Sequence, residues 1–515
     1  MSVESLIAEN ASILQDLAHD QVLLNNILEE AYTAIINKGG AISAKTFVAL
    51  APAIRNLKVN IPSLITNRQM VITPEPVTGN IWYVKPNGTG DKNGTSWEHA
   101  FATRQEAVDA ASSGDHIRVW TGTYYLESKQ YPKPGVSEYY GFNDDGSWAK
   151  RNPFVYPSIH DASFTDNNYE NRSVTFLADQ VVDGIWIQNV VSPTNGGGAY
   201  LDAKSNFRNC IMLNNSAVNG GGVYVNTGGL LTNCIAVNNI TSGNGGGMYG
   251  VNSTITNCIC ANNIASYGGG IHLNPAQAIG CMLVSNYSVN AGGGVYCGHY
   301  SSITGGIAMN NNSNVGGGIC FGYSVTGINC ISINNYAKSY GGGISMNDHL
   351  ARCYNNTTAM NSAPLGDNFH IRATQLMVVC NCISWGGDIY VGVSNAPIKI
   401  YNCASNFPIT GVANWDTNAD IRNFIPLSTF PFVSTGDISY DNSGAFYHAN
   451  ILGRTELALE FINNKLLPNI PDLHLPGTSP LIGAGYYEAG VTPDLDADGT
   501  VRPLPPSIGA YEYVA

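Results

Sequence analysis

The sequence is poor in charge. Only 12% of its 515 residues are Asp, Glu, Lys or Arg, about half the ~25% usual for soluble domains. Basic residues are the scarcer sign, 24 Lys and Arg against 37 Asp and Glu. The formal charge of −13 excludes a nucleic-acid or anionic-membrane partner, since both are held by basic surface. Long apolar runs are missing too: nothing approaches the ~18 residues of a membrane span. Met1–Asp20 has no basic start followed by an apolar core, so no secretory signal is legible and folding in a reducing cytoplasm is expected. The 12 cysteines do not form the dense framework of a short disulfide-stapled domain. With 44% hydrophobic residues the chain is not disordered, and its glycines cluster where collagen would space them in threes. Length alone suggests about three domains, unless the chain is a repeat array, which grows by stacking.

What is abundant is glycine, 57 residues, and it is periodic. GGG triplets begin at Gly196, Gly220, Gly245, Gly268, Gly292, Gly316 and Gly341, at intervals of 24, 25, 23, 24, 24 and 25 residues. A second column keeps the same beat: Cys210, Cys234, Cys258, Cys281, Gly306 and Cys330. A third is the Asn pair, at Asn214/Asn215, Asn238/Asn239, Asn262/Asn263, Asn310/Asn311 and Asn334/Asn335, with Asn286 between. Alternating apolar and polar runs of four to six residues separate the columns, which is strand spacing. A turn of ~24 residues with Gly/Asn corners predicts a parallel β-helix whose coils stack at ~4.8 Å. Gly and Asn are expected at the corners because those positions favour φ > 0. Cys and Ile are expected to alternate inward and outward, the thiols packing as free apolar groups.

These GGG-Ile and Asn-Cys repeats resemble the right-handed parallel β-helix families, specifically the repeats of polymorphic outer-membrane-type proteins. The fold expected is therefore all-β, a single-stranded right-handed parallel β-helix, with a small α-helical N-terminal domain. Upstream, WYVKPNGTGDKNGTSWEHAFATRQEAVDAASSGDHIRVWTGTYY (from Trp82 to Tyr125) is similar to the opening segment of pectate-lyase-like β-helix proteins, with Thr103–Ser112 as a helix capping the open end of the stack. Downstream, HLPGTSPLIGAG (His474–Gly485) and PSIGAYEY (Pro506–Tyr513) resemble the C-terminal module of bacterial surface β-helix proteins. No anchoring tail is legible after it, so surface attachment is not carried over. Asp494, Asp496 and Asp498, followed by Gly499, have the opening spacing of a calcium loop, but Pro505 stands where the bidentate Glu belongs. No cofactor is required on this reading; Ca2+ at these aspartates competes with a solvated acidic turn.

The N-terminal piece is of another kind. Val3, Leu6, Ile13, Leu17, Leu24, Ile27, Ala31 and Ala34 hold a 3–4 spacing interrupted by Asn10 and Asp20, and Ile7, Leu14, Leu28 and Ile35 widen the stripe. That pattern fits a helix folding back on a second helix near Ala44–Leu57, or a self-associating coiled coil with a trimer favoured. Asn25–Leu57 resembles the helix–GG–helix element of phage tail-associated proteins. The expected layout is a helical attachment and oligomerisation element at 1–62 and a linker at 63–79. An opening segment with its capping helix follows at 80–130, and early coils with long loops at 131–194. Regular repeats occupy 195–406, with closing coils and a capping module at 407–515.

Catalysis has little to work with. Glycoside hydrolysis needs two carboxylates flanking one bond, and Gly196–Ser362 holds only Asp202 and Asp348, six coils or roughly 29 Å apart at ~4.8 Å per coil. Its basic side chains are Lys204, Arg208, Lys338 and Arg352. Asp144, Asp145, His160, Asp161, Glu170 and Arg172 lie in an irregular stretch that reads as a surface loop, and Asp367, His370 and Asp388 read as turn residues. Neither group has a repeat offset that would stack two acids on one face. No catalytic residue is assigned. The candidate ligand-binding residues are instead Tyr200, Tyr224, Tyr249, His272 and Tyr296, one column just after the triplets, expected to point outward by strand alternation. They would form a stripe for stacking on sugars or a self-stacking ladder.

These readings converge on a bacteriophage tail-associated fibre, spike or adhesin located in the virion. Its N-terminal helices would join it to other tail proteins, and its body, as a homo-oligomer, would meet host surface polysaccharide. The alternatives are a polysaccharide-degrading tailspike, lyase or glycoside hydrolase, and a bacterial surface adhesin.

Overall fold

A computed structural model describes residues 76–126, 131–162, 174–176, 180–347, 350–372, 375–392, 397–411 and 419–428, and short pieces at 475, 479–485, 495–496, 501–503 and 506–510. All lie in one compact unit. The expected helical element at 1–62 and most of the linker fall outside the described residues.

Four parallel sheets, here I to IV in the order one coil visits them, contain 14, 13, 6 and 11 strands. One coil shows the pattern: Asn206–Arg208 in sheet I, Ile211–Leu213 in II, Ser216–Ala217 in III and Val223–Val225 in IV. Sheet I resumes at Leu230–Thr232, in register 24 residues on. The stack is thus the expected parallel solenoid, and it is longer than the visible repeat. Sheet I begins at Ile81–Val84 and ends at Ala419–Arg422, because strands persist where the triplets have decayed.

Sharp corners need left-handed backbone, and short polar side chains tolerate it best. The corner from sheet I to II is Asn209, Asn233, Asn257 and Asn329, all with φ between 52 and 56°. From II to III it is Asn214, Asn238, Asn262, Asn310 and Asn334, the first member of each Asn pair. The second member corrects the sequence reading, for it turns no corner. Asn215, Asn239, Asn263, Asn286, Asn311, Asn335 and Asn361 are buried inside the stack as one continuous ladder. Asn239 shows the bonding: its Nδ2 donates to Asn263 Oδ1 (3.0 Å) one coil on and to the Met212 carbonyl (3.1 Å) one coil back, and its backbone N–H also donates to Asn263 Oδ1 (2.8 Å). Each amide of this ladder is satisfied by its neighbours in the same way.

The triplet follows from this ladder. Its first glycine, such as Gly220, turns the corner from III to IV at φ 62°. Its third has another duty: a Cβ on Gly222 would lie 2.5 Å from the Gly247 carbonyl and 3.0 Å from Asn239 Nδ2. Only hydrogen fits there.

Cysteines fill the core. All twelve are free and buried, Cys210, Cys234, Cys258, Cys281 and Cys330 forming an inward column beside the corner. Burial pushes the Cys330 thiol up to about 12. Within sheet II the middle residues, such as Met212 and Ala236, face inward. Met309, Ile331, Ile333, Ala359 and Ile383 face the other way and are covered by Leu475, Leu481, Ile508 and Ala510. The described C-terminal residues therefore lie along the flank of sheet II. Arg502 pins them there, donating to Asn329 Oδ1 (3.1 Å) and the Ala510 carbonyl (3.0 Å), while Ala510 N–H donates to Thr357 Oγ1 (3.1 Å).

At the other end the helix Arg104–Ala110 carries a capping box, with Thr103 and Glu106 bonding each other's backbone N–H. Ala107 and Val108 join the core of the first coil, as a cap of the open end should.

Candidate functional site

Sheet IV strands such as Val223–Val225 bury their two flanking residues and leave the middle one half-exposed, which turns the aromatic column outward. The structure brings all five predicted residues together. Ring centroids of Tyr200 and Tyr224 are 5.3 Å apart at 4°, Tyr224 and Tyr249 5.0 Å at 16°, Tyr249 and His272 4.8 Å at 23°, and His272 and Tyr296 5.1 Å at 31°. Because the rings stack on one another, their faces cover each other, and the column offers edges and hydroxyls to its surroundings. At one end Asn226 Nδ2 donates to Tyr200 Oη (3.3 Å) and to Asp202 (3.4 Å). His272 is buried, which holds its pKa down at about 4. Cys320, Ser345, His370 and Tyr390 continue the column, the last two stacked at 5.6 Å and 7°.

The early-loop candidates do not assemble. Asp144 is an exposed turn residue with φ 54°. Asp145 accepts from Ser147 N–H and lies 3.4 Å from Lys150, with its pKa lowered to about 2 mainly by the Ser147 bonds. His160 is in the core between Tyr124 and Tyr140, and Asp161 accepts from Gln188 (2.8 Å) and Asn189 (2.9 Å). Glu170 and Arg172 lie outside the described residues.

The late group does stack, contrary to the spacing argument, because the coil there shortens to the 21 residues separating Asp367 from Asp388. Asp367 N–H donates to Asp388 Oδ1 (2.7 Å), Thr410 Oγ1 to Asp388 Oδ2 (2.5 Å), and Ala363 N–H to Asp367 Oδ1 (2.8 Å). Burial, with the neighbouring Asp388, raises the Asp367 pKa. His370 Nδ1 is 3.2 Å from Asn347 Oδ1. Of the calcium-loop residues only Asp496 is described, and it is buried; Asp494 and Asp498 are outside. Among the described residues no three His, Cys, Asp or Glu gather as metal ligands, and no helix is long and apolar enough to cross a membrane.

A further surface was missed in the sequence. On the outer face of sheet I, strands Ile81–Val84 and His116–Trp120 place Tyr83 beside Arg118, and loops bring Trp97 and Trp148 over them. Tyr83 and Trp97 meet edge-on at 4.7 Å, Trp97 and Trp120 at 4.8 Å, and Phe142 joins Trp97 (5.6 Å) to Trp148 (5.2 Å). Lys85 Nζ lies 4.2 Å from the Trp120 ring centre, and the Arg118 guanidinium 5.4 Å from that of Trp148. Tyr83, Trp97, Trp120 and Trp148 are half-exposed, so part of each ring faces outward although edge-on neighbours and cations cover the rest. The legible signal was Arg118-x-Trp120, an alternation that puts both on one strand face.

The fold and its outward aromatic surfaces define a parallel β-solenoid, the class to which this chain belongs. No family model and no curated protein matches it. Among solved structures it is similar to the pectate lyase Pel9A, at 17% identity over 84% of this chain and 96% of that one with a TM-score of 0.42. It is also similar to PfbA, a surface adhesin of Streptococcus pneumoniae (11%, 62% and 86%, TM-score 0.31), and to tailspike protein 3 of Bacteriophage CBA120 (11%, 68% and 62%, TM-score 0.30). At these scores the likeness assigns neither activity nor ligand.

Proposed function

We propose that this protein is a tail-associated structural component of a virion that holds host surface glycans without cleaving them. The observation that carries the glycan reading is the half-exposed Tyr83–Trp97–Trp120–Trp148 surface with Lys85 and Arg118 upon it. Half-exposed aromatic rings bury the apolar side of a sugar while cations beside them bond its oxygens. Cleavage would need a free pair of carboxylates, and the buried ones nearby are committed. Asp183 accepts from Arg151 (2.7 Å) and Arg208 (2.8 Å), and Glu138 from Arg104 and Tyr140. The tyrosine column of sheet IV adds a second line of contact through its hydroxyl edges. The virion role is supported by the likeness of Asn25–Leu57 to tail-associated helices. On this reading 1–62 attaches the chain to other tail proteins and joins copies into a trimer, 195–406 is the body, and 407–515 closes it.

The test is to incubate the full chain with host cells and their purified capsular polysaccharide. Binding with no fall in polymer size is expected, and Trp97→Ala with Trp120→Ala should weaken it about tenfold or more. New reducing or unsaturated ends would overturn the non-cleaving reading in favour of a depolymerase. That second reading draws on one observation, the stacked Asp367 and Asp388, and it requires Asp388→Asn to abolish the new ends.

A further inference from the structure

Two cations stand on the aromatic surface of sheet I with no carboxylate to match them. The buried arginines of the first coils are all paired, Arg104 with Glu138 and both Arg151 and Arg208 with Asp183. Even the exposed Lys150 lies 3.4 Å from Asp145. Lys85 and Arg118 differ. Among the described residues neither side chain makes an ion pair or a hydrogen bond. Both meet rings instead, Lys85 those of Trp97 and Trp120, Arg118 those of Phe142 and Trp148.

Strand register explains where they stand. Tyr83 and Arg118 are partners on adjacent strands, and Trp120 pairs with Phe142 in the next outward row, which Lys85 joins from the end of the first strand. Two residues along and one strand across sets the two cations roughly 8 Å apart at Cα, close enough to address one ligand. Their donors are open to solvent. Both side chains are half-buried, and of their nitrogens only Arg118 Nε is closed off. A ring face attracts a cation but leaves its N–H groups without an oxygen. Partial burial also strips hydration from Arg118, which lowers its pKa. The acids on the flanking turns do not relieve this. Asp145 is taken by Ser147 and Lys150. Glu98 is exposed and forms no ion pair, its pKa being lowered first by Ser96 and less by Lys85.

An ionised acceptor bonds such donors about twice as strongly as a hydroxyl does, and the two Nη groups of Arg118 form a fork that fits two oxygens of one anion. The net charge of −13 repels an anion from the rest of the chain, so the unmatched pair also decides where an acidic ligand can settle. We infer that this surface is a site for an acidic sugar, its carboxylate or sulfate on Arg118 and Lys85 and its ring against the outward parts of Tyr83 and Trp97. That the ligand is an anion rests on the two cations; that the anion belongs to a sugar rests on the glycan reading above.

The experiment titrates the full chain by calorimetry at about 0.15 M salt, where charges beyond ~8 Å are largely screened. The ligands are sialyllactose and hyaluronan hexasaccharide, each beside its uncharged methyl ester, and sulfated lactose beside lactose. At least one acidic sugar should bind about tenfold more tightly than its uncharged form. A preference for carboxylate or for sulfate supports the site and names its anion. Lys85→Met with Arg118→Met keeps apolar stems on the rings and should bring the two forms within about twofold. Arg118→Lys, which keeps the charge, should retain most of the preference. Equal binding of charged and uncharged forms, no binding of any acidic sugar, or a preference that survives the double substitution overturns the site. Capsule binding that persists in those cases leaves the glycan reading standing. Free acetate and sulfate are titrated as well: if they bind as tightly as the acidic sugars, the anion site holds and its assignment to a glycan falls.

Discussion

Asn262 and Asn263 are chain neighbours with opposite obligations. Asn262 turns a corner at φ 54°, a task glycine performs as well. Asn263 takes two N–H groups from Asn239 and gives its own amide to Asn286 Oδ1 (3.0 Å) and to the Ala236 carbonyl (2.9 Å). Asn263→Ala should therefore cost about 2–4 kcal/mol in urea denaturation, and Asn262→Gly less than about 1 kcal/mol. Equal losses would contradict this division. The sequence shows the pair but not the division, because both members are Asn and only the burial of the second separates them. His272 is the second residue to probe. Its folded pKa of about 4 lies below the ~6.5 of an unfolded imidazole. Above pH 6.5 neither state is protonated. As pH falls from 6.5 to 4 only the unfolded state takes up the proton, so stability falls by up to about 1.4 kcal/mol per pH unit, and below 4 this contribution is level. His272→Tyr, which completes the tyrosine column, should flatten that part of the melting-temperature profile; an unchanged slope would place its origin elsewhere.

At the scale of the strand and corner, the two kinds of glycine are distinguishable by experiment. Gly305 has φ 61° but open space around it, the nearest atom to a built Cβ being 3.9 Å away. Gly305→Ala should cost only the left-handed strain, about 1–2 kcal/mol. Gly222→Ala meets the Gly247 carbonyl and Asn239 Nδ2 and breaks the inter-coil contact, so a loss of about 3 kcal/mol or more is expected in the same denaturation assay. If the two alanine variants melt together, crowding is not what selects the third glycine. The 24-residue period, the strands and the corners were legible because each recurs. The stacking of Asp367 on Asp388 was not, since the coil that brings them together is three residues short. The tryptophan surface escaped for a related reason: it lies in the first coils, where long loops hide the period.

For the whole molecule, a solenoid's stability is a sum over coils and their interfaces, so what covers its flank matters as much as what closes its ends. Arg502→Ala should loosen the C-terminal residues from sheet II and uncover Met309, Ile331 and Ile333. Increased binding of a hydrophobic dye with unchanged far-ultraviolet circular dichroism is the expected result; cooperative loss of the sheet signal would show that the flank and the coils are one unit. The resemblance of His474–Gly485 to a terminal module was visible in the sequence, but its place along sheet II depends on contacts more than 150 residues apart in the chain, such as Thr357 with Ala510. The asparagine ladder has a last consequence at this scale. From Asn215 to Asn361 each amide donates toward the carboxyl-terminal coil, and the series closes on Asn368, which gives its own protons to Ser384 Oγ and the Trp385 carbonyl. The asparagine-to-asparagine series therefore runs one way, while each amide gives its second proton to a carbonyl one coil back. A stack that ends on any of these coils thus offers the next one an asparagine donor and a backbone N–H, and its amino-terminal side offers an asparagine acceptor, so the two ends of the solenoid are chemically distinct.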